Sequence, residues 1–136
     1  MARRRRGIPA IEYEPHLDGD PDPGEVVWAW VPFEDDPTRG KDRPVLVIGR
    51  SGAELTALFM TSKDHGRDAD DEAQWGRHWF DVGPGVWDPR GRPSEIRLDR
   101  LLRLDPAKVR REGAVLDRRR FDAVVAAARP YLRGRI

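Results

Sequence analysis

The sequence contains no cysteine among its 136 residues. This absence excludes disulfide bonds, thiol catalysis and cysteine-ligated metals. No apolar run approaches the roughly 20 residues that a membrane-spanning helix needs. The arginine run Arg3–Arg6 resembles the start of a signal peptide, but no apolar segment follows it, so secretion is not expected. We therefore expect one soluble, cytoplasmic domain, because a chain of this length builds a single core.

The chain as a whole also lacks a large surplus of either charge, since its formal net charge is +1. The charges are nevertheless unevenly placed. Residues 90–136 contain 14 Lys and Arg against 6 Asp and Glu, whereas residues 64–81 contain 2 against 6. The basic C-terminal part permits a surface that faces an anionic partner such as nucleic acid. Solvated arginines that reflect composition alone are an equally good explanation.

Three apolar runs in the first half of the chain are rich in residue types that favour strands, above all valine and tryptophan. They are Glu25–Phe33, Arg43–Ile48 and Glu54–Met60. A polar loop at residues 34–42, with the turn formers Pro37 and Gly40, separates the first two runs. Ser51 and Gly52 mark a tight turn between the second and the third. The pattern predicts an antiparallel meander of three strands.

The second half of the chain predicts shorter strands and a final helix. The strands are expected at His78–Val82, within Ser94–Leu104 before a turn at Asp105 and Pro106, and at Glu112–Leu116. Asp117 is a good N-cap for the helix. The apolar residues after it follow one helical face, namely Phe121, Val124, Val125, Ala128 and Leu132. Pro130 should end or kink the helix near Arg129.

These elements predict a mainly β domain with a C-terminal α-helix, built from five to seven short, mostly antiparallel strands over residues 24–136. Residues 1–23 contain few apolar positions and no periodic pattern. We expect them to form a disordered or loosely held N-terminal tail.

Arg43 begins the second predicted strand, and Thr61 ends the third. Because neighbouring antiparallel strands run in opposite directions, these two residues should lie at the same edge of the sheet. A guanidinium offers a rigid fork of donors that matches phosphate oxygens, and a hydroxyl beside it can add another donor. The structural alternatives are an ion pair of Arg43 with Asp42 and a hydrogen bond of Thr61 to its own backbone.

Four short motifs occur in an order that resembles the MazF/PemK toxins. They are Gly24-Glu25-Val26-Val27-Trp28, Gly40-Lys41-Asp42-Arg43-Pro44, Val45-Leu46-Val47-Ile48 and Thr61-Ser62. The resemblance extends from Gly24 to about Leu132. It implies a small SH3-like antiparallel barrel of the CcdB/PemK type, a homodimer, and a toxin that a cognate antitoxin protein neutralises.

The resemblance also implies an activity, cleavage of single-stranded RNA such as mRNA by a sequence-selective endoribonuclease. Arg43 matches the family's catalytic arginine and would stabilise the charge on the phosphate, while Thr61 would hold a non-bridging oxygen. The ribose 2′-OH attacks the phosphate and leaves a 2′,3′-cyclic phosphate and a 5′-OH. This chemistry needs neither a metal nor a cofactor, and it spares DNA because DNA lacks the 2′-OH.

Six further residues are candidates for RNA contact. They are Arg39, Lys41, Ser62, Trp75, His78 and Trp87. Loop tryptophans can stack on unpaired bases, although they can equally cover the core. His78 can contact RNA or simply lie on the surface. Trp28 and Trp30 share one strand face and are expected in the core or in a dimer interface.

The segment Asp68–Glu72 is acidic, which is unfavourable next to a polyanion. Its alternating carboxylates lack the glycine and the distal glutamate of a calcium loop, so we expect no metal site. Two other functions remain open: a catalytically inactive barrel that binds nucleic acid or protein, and a gyrase-directed toxin. Gyrase poisoning does not need the pair Arg43 and Thr61, so their presence argues against it.

Overall fold

The three-strand meander predicted for the first half of the chain is present in the structure, a computed structural model that describes residues 10–11, 13, 21–62 and 76–135. Within these residues the strands are β1 (Ala10–Ile11), β2 (Glu25–Pro32), β3 (Gly40–Ser51), β4 (Glu54–Thr61), β5 (Trp79–Gly83), β6 (Ser94–Arg97), β7 (Leu102–Leu104) and β8 (Arg110–Val115). The helix α1 (Arg118–Ala128) follows β8. Seven of the described strands, β2 to β8, lie within residues 24–136, in agreement with the five to seven predicted there, and the two-residue β1 lies in the predicted tail.

The strands form one curled antiparallel sheet in the order β5-β6-β4-β3-β2-β8, with β1 on β3 and β7 on β4. The curl is visible along β4, which pairs with β7 at Leu55–Ala57 and with β6 at Met60 and Thr61. Two partners on one edge of a strand require the sheet to bend around it, as in a small barrel. The predicted fold class, a small antiparallel barrel with a C-terminal helix, is therefore confirmed.

Side chains of β3 and β4 are buried on both faces of the sheet, which explains why these strands read as continuous apolar runs. On one face, Leu46, Ile48, Leu58 and Met60 pack in a cluster that includes the apolar side of α1. The second cluster, on the opposite face, consists mainly of Val27, Ala29, Val31, Val45, Val47, Leu55, Ala57 and Phe59. Both faces of the central strands are thus fixed, which leaves no freedom to shift the strand register.

The register of β3 and β4 positions the predicted catalytic pair. Val45 lies opposite Phe59 in this antiparallel pairing. Two residues before Val45 and two residues after Phe59, the same register places Arg43 opposite Thr61. Side chains two apart share a face, so both point to the face that carries the second cluster.

The helix begins and ends where the sequence predicts. The Asp117 carboxylate accepts a hydrogen bond from the backbone N–H of Arg120 at 3.1 Å, as an N-cap does. The regular helix ends at Ala128, and a 3₁₀ turn at Arg129–Tyr131 contains Pro130. Proline lacks the N–H that an α-helix would use, so the chain tightens there.

Parts of the predicted tail contact the barrel. Residues Ala10–Ile11 pair with β3, and the Tyr13 hydroxyl donates to the carbonyl oxygen of Leu116 at 2.9 Å. Asp22 forms an ion pair with Arg50. Hydrogen bonds and an ion pair therefore connect these residues to the barrel, and the loosely held tail stays a prediction. Residues 1–9, 12 and 14–20 lie outside the described residues.

Candidate functional site

Arg43 and Thr61 both line two neighbouring cavities, a first of about 230 Å³ and a second of about 130 Å³. The first cavity is bordered by the end of β2 and the loop after it. Single residues of β3, β4, β5 and β6, and of the segment after β6, complete its lining. The second is bordered by the start of β3, the end of β4 and residues 87–94. Arg43 and Thr61 therefore lie between the two cavities and contact both of them.

Three arginines line the first cavity, and each lies over an aromatic ring. The guanidinium carbons of Arg43 and Arg100 are 5.2 and 5.8 Å from the centroid of the Phe59 ring. The guanidinium of Arg97 lies 5.8 Å from the Trp79 ring. These rings hold the cations at cation–π distance without neutralising them.

Arg97 differs from the other two arginines because acidic side chains neutralise it. Its guanidinium pairs with Asp99 at 2.8 Å and with Glu34 at 3.1 Å. Burial opposes the charge, yet these two partners outweigh burial, and the pKa of Arg97 lies above its ordinary value. Arg97 is only 5% exposed, so this pairing compensates a buried charge.

Arg43 and Arg100 form no ion pair within the described residues. Burial lowers the pKa of Arg43, and the positive charge of Arg100 lowers it further. Burial also lowers the pKa of Arg100, with Glu34 opposing and Arg97 adding to that effect. A guanidinium stays protonated under all working conditions. The lowered pKa values mean that burial and neighbouring positive charge disfavour the charged forms of Arg43 and Arg100. An anion in the cavity would therefore stabilise both charges.

The loop beside the first cavity is closed by local hydrogen bonds. The Asp36 carboxylate accepts from the N–H and the hydroxyl of Thr38 at 3.2 and 2.6 Å. The N–H of Phe33 donates to the carbonyl oxygen of Arg39 at 2.8 Å. Across the cavity, the Arg100 guanidinium donates to the carbonyl oxygen of Pro32 at 2.8 Å. These bonds hold the loop against the start of β3, where Arg43 lies.

The second cavity contains a buried carboxylate. Asp88 accepts hydrogen bonds from the N–H of Arg90 at 2.8 Å and from Nε of Arg92 at 2.9 Å. Burial raises the pKa of this carboxyl, but the two hydrogen bonds and the nearby arginine charges outweigh burial and hold its pKa below the ordinary value. Asp88 is therefore ionised at neutral pH, in a cavity that Lys41 and Ser62 also line.

The candidate RNA contacts have different positions. Lys41 and Ser62 are exposed and line the second cavity beside Arg43 and Thr61. Arg39 lines neither cavity, and its guanidinium lies 6.0 Å from the ring of Phe33, which borders the first. Lys41 and Ser62 thus belong to the neighbourhood of the pair, whereas Arg39 lies at its periphery.

Two other candidates are less accessible to RNA: Trp87 borders the second cavity but is almost fully buried, and His78 lines neither cavity. Trp87 is 2% exposed, and its indole N–H donates to the Ser94 hydroxyl at 3.0 Å. Its ring packs in the core, which agrees with the alternative role, and only a small part of it borders the second cavity. His78 stacks on Tyr131 at 4.2 Å between ring centroids, and its backbone N–H donates to Asp99. Trp75 and the acidic segment Asp68–Glu72 lie outside the described residues.

Sequence reasoning missed Arg97, Arg100 and Glu34 as residues of this site. All three line the first cavity with Arg43. The sequence offered no clear signal for them, because Arg97 ends a strand whose four residues are all buried, and that burial is visible only in the structure. A buried arginine needs partners, and a search for them leads to Glu34 and Asp99.

Within the described residues no group of three His, Cys, Asp or Glu side chains is arranged to hold a metal ion. In the same part of the chain, no helix is long and apolar enough to cross a membrane.

The fold is that of a small antiparallel barrel closed by a C-terminal helix, and comparison with known proteins agrees with it. The sequence model of one protein family, the PemK-like, MazF-like toxins of type II toxin–antitoxin systems, matches residues 22–132. The structure is similar to a chain of MazE–MazF (form II) from Deinococcus radiodurans, with a TM-score of 0.56 and 19% identity. That match covers 85% of this chain and 97% of the other. No curated protein matches the sequence. The chain belongs to the PemK/MazF toxin family.

Proposed function

We propose that this protein is the toxin of a type II toxin–antitoxin system and acts as a metal-independent, sequence-selective endoribonuclease on single-stranded RNA in the cytoplasm. One observation carries the proposal. Arg43, a half-buried cation with no ion-pair partner in the described residues, shares two cavities with Thr61 at one edge of the sheet. A guanidinium and a hydroxyl side by side are suited to one phosphodiester.

The reaction follows from the two side chains. The ribose 2′ oxygen bonds to phosphorus, the bond from phosphorus to the 5′ oxygen breaks, and the products are a 2′,3′-cyclic phosphate and a 5′-OH. Arg43 stabilises the negative charge that grows on the phosphate oxygens, and the Thr61 hydroxyl donates to one of them. Asp35 lines the same cavity and is placed to accept the 2′-OH proton, while the departing 5′ oxygen takes a proton from solvent water.

This chemistry selects RNA over DNA because the attacking group is the 2′-OH itself. Lys41 and Ser62 extend the site along the second cavity, where they would contact the neighbouring nucleotides. Sequence selectivity would come from such contacts, since phosphate contacts carry no sequence information.

We further propose that a cognate antitoxin neutralises this toxin, as the similarity to a MazE–MazF complex favours. A homodimer is the proposed assembly. Its support is Trp30, which is 58% exposed on β2 although its neighbours Ala29 and Val31 are buried. Large exposed tryptophans are frequent in interfaces. Light scattering on the wild type and on Trp30→Ser tests this, and a monomeric wild type would contradict it.

The direct test incubates purified protein with total RNA in excess EDTA, beside Arg43→Ala and a control, Arg103→Ala. Arg103 is an exposed arginine of β7 that lines neither cavity. We expect discrete fragments with 5′-OH ends from the wild type and the control, and none from Arg43→Ala. Intact RNA with folded wild-type protein would favour the inactive binding module, and inhibition of DNA supercoiling would favour the gyrase-directed toxin.

A further inference from the structure

We infer that Arg100 is a second phosphate-binding residue, and that the first cavity is a subsite for the phosphate next to the scissile one. The inference rests on the proposed function and names a site for which the sequence alone had no candidate.

The position of Arg100 relative to the catalytic pair distinguishes the two phosphates. Arg43 and Thr61 line both cavities, so the scissile phosphate belongs at their common boundary. Arg100 lines the first cavity only. Its guanidinium lies near the same Phe59 ring as that of Arg43, so a phosphate next to one bound at Arg43 is within reach of Arg100.

The charges of the cavity leave Arg100 available to an anion. Glu34 is the carboxylate whose charge acts on Arg100, but both of its oxygens accept from Arg97, at 3.1 and 3.3 Å. Arg97 is also held by Asp99. Arg100 donates to one uncharged acceptor, the Pro32 carbonyl oxygen, and no described carboxylate pairs with it. A guanidinium carries five N–H donors, so several remain for phosphate oxygens.

The hydrogen bond to Pro32 and the aromatic ring also make Arg100 a rigid ligand. Its side chain is anchored at one N–H and rests on Phe59. A side chain that is ordered before binding loses less conformational entropy when the ligand arrives. The cavity thus has the features of a preformed phosphate subsite: a fixed cation, free donors and partial exclusion of water.

The test measures binding of a short oligouridine as a function of salt concentration, for the wild type, Arg100→Gln and Arg100→Lys. Each phosphate contact of a single strand contributes about 0.7 to the slope of log K against log salt. We expect Arg100→Gln to weaken binding about tenfold at low salt and to reduce the slope by about that amount. Arg100→Lys should restore most of the slope because it keeps the charge. The matched control is Arg103→Gln, which should bind like the wild type.

Cleavage kinetics then separate the subsite from a direct role at the scissile phosphate. With an RNA oligonucleotide that contains a mapped cleavage site, Arg100→Gln should raise KM about tenfold and change kcat less than threefold. A large loss of kcat with unchanged KM would overturn the flanking position. Unchanged binding and an unchanged salt slope, in a variant that unfolds at the wild-type temperature, would overturn the subsite altogether.

A purely structural role for Arg100 predicts a different result. Loss of its bond to Pro32 would lower the unfolding temperature, while the salt slope of the folded protein would stay at the wild-type value. That outcome would contradict the inference. If the wild type binds RNA with the expected Arg100 dependence but never cleaves it, the subsite stands and the proposed ribonuclease function fails.

Discussion

Arg43 and Thr61 lie at the same edge of the sheet, on adjacent strands, and each lines both cavities of the site. The antiparallel pairing of β3 with β4 produces this relationship, because the start of one strand meets the end of the next. The pair places a cation beside a hydroxyl at one end of two strands whose central residues are mostly apolar. This arrangement is the basis of the proposed reaction.

The Thr61 hydroxyl is expected to be needed for the chemical step. Thr61→Val keeps the shape of the side chain and removes the donor, so single-turnover cleavage should fall about 100-fold. Thr61→Ser retains the hydroxyl and should keep most of the rate. Ser62→Ala, one position further, should change the rate only slightly. Cleavage by Thr61→Val at the wild-type rate would remove Thr61 from the mechanism.

Asp99 is expected to be one of the larger contributors to stability at the site. It accepts from two nitrogens of the buried Arg97, each at 2.8 Å, and from the N–H of His78 at 2.7 Å. Asp99→Asn would leave the Arg97 charge poorly compensated, at a cost of about 3 kcal/mol in the free energy of unfolding. Urea denaturation measures this loss.

The control for that measurement is Asp122→Asn on α1. Asp122 also pairs with an arginine, Arg118, at 3.6 Å, but its side chain is 61% exposed. Exposed pairs contribute little, so this variant should stay within about 0.5 kcal/mol of the wild type. Equal effects of the two substitutions would contradict the role assigned to burial.

Trp87 is expected to act through packing. Trp87→Phe loses the hydrogen bond to Ser94 and part of the buried ring, so unfolding should become easier by about 1–2 kcal/mol. RNA affinity of the folded variant should be unchanged. A variant of wild-type stability with weakened oligouridine binding would instead support the stacking role.

Gly85 provides an independent check on the packing of Trp87. A Cβ atom at position 85 would lie 2.2 Å from the Trp87 ring, which is impossible without movement. Gly85→Ala should therefore destabilise the protein by about 1–3 kcal/mol. Gly91→Ala cannot serve as a control for this substitution. Gly91 has a positive φ of 64°, a backbone conformation that alanine adopts only with strain.

Asp88 should make stability depend on acidic pH. Its folded-state pKa is below the unfolded value of about 3.9, so the unfolded chain binds the proton more readily. The stabilisation is therefore present above about pH 4 and is lost as the pH falls through the folded-state pKa. Asp88→Asn should reduce the loss of stability between pH 7 and pH 3, measured by urea denaturation. A pH profile identical to that of the wild type would contradict this assignment.

Local sequence patterns determined much of the architecture. The apolar runs of β2, β3 and β4 are long enough to specify strands, and Ser51-Gly52 specifies the hairpin between two of them. Asp117 and Pro130 mark the limits of the helix because capping and the missing proline N–H act within one turn. Even the proximity of Arg43 and Thr61 follows from a local rule, the antiparallel course of a hairpin.

The tertiary structure decided which distant residues join that pair. Arg100 and Arg97 reach the first cavity because the sheet curls around β4, and no pattern within a single strand encodes that curl. Trp87 lies in a segment that the sequence predicts as a loop, yet packing against the core buries it. The His78 ring stacks on Tyr131. Strand and helix signals are local and periodic, so the sequence alone determines them. Burial and charge pairing depend on contacts between residues far apart in the chain, and only the packed barrel determines those.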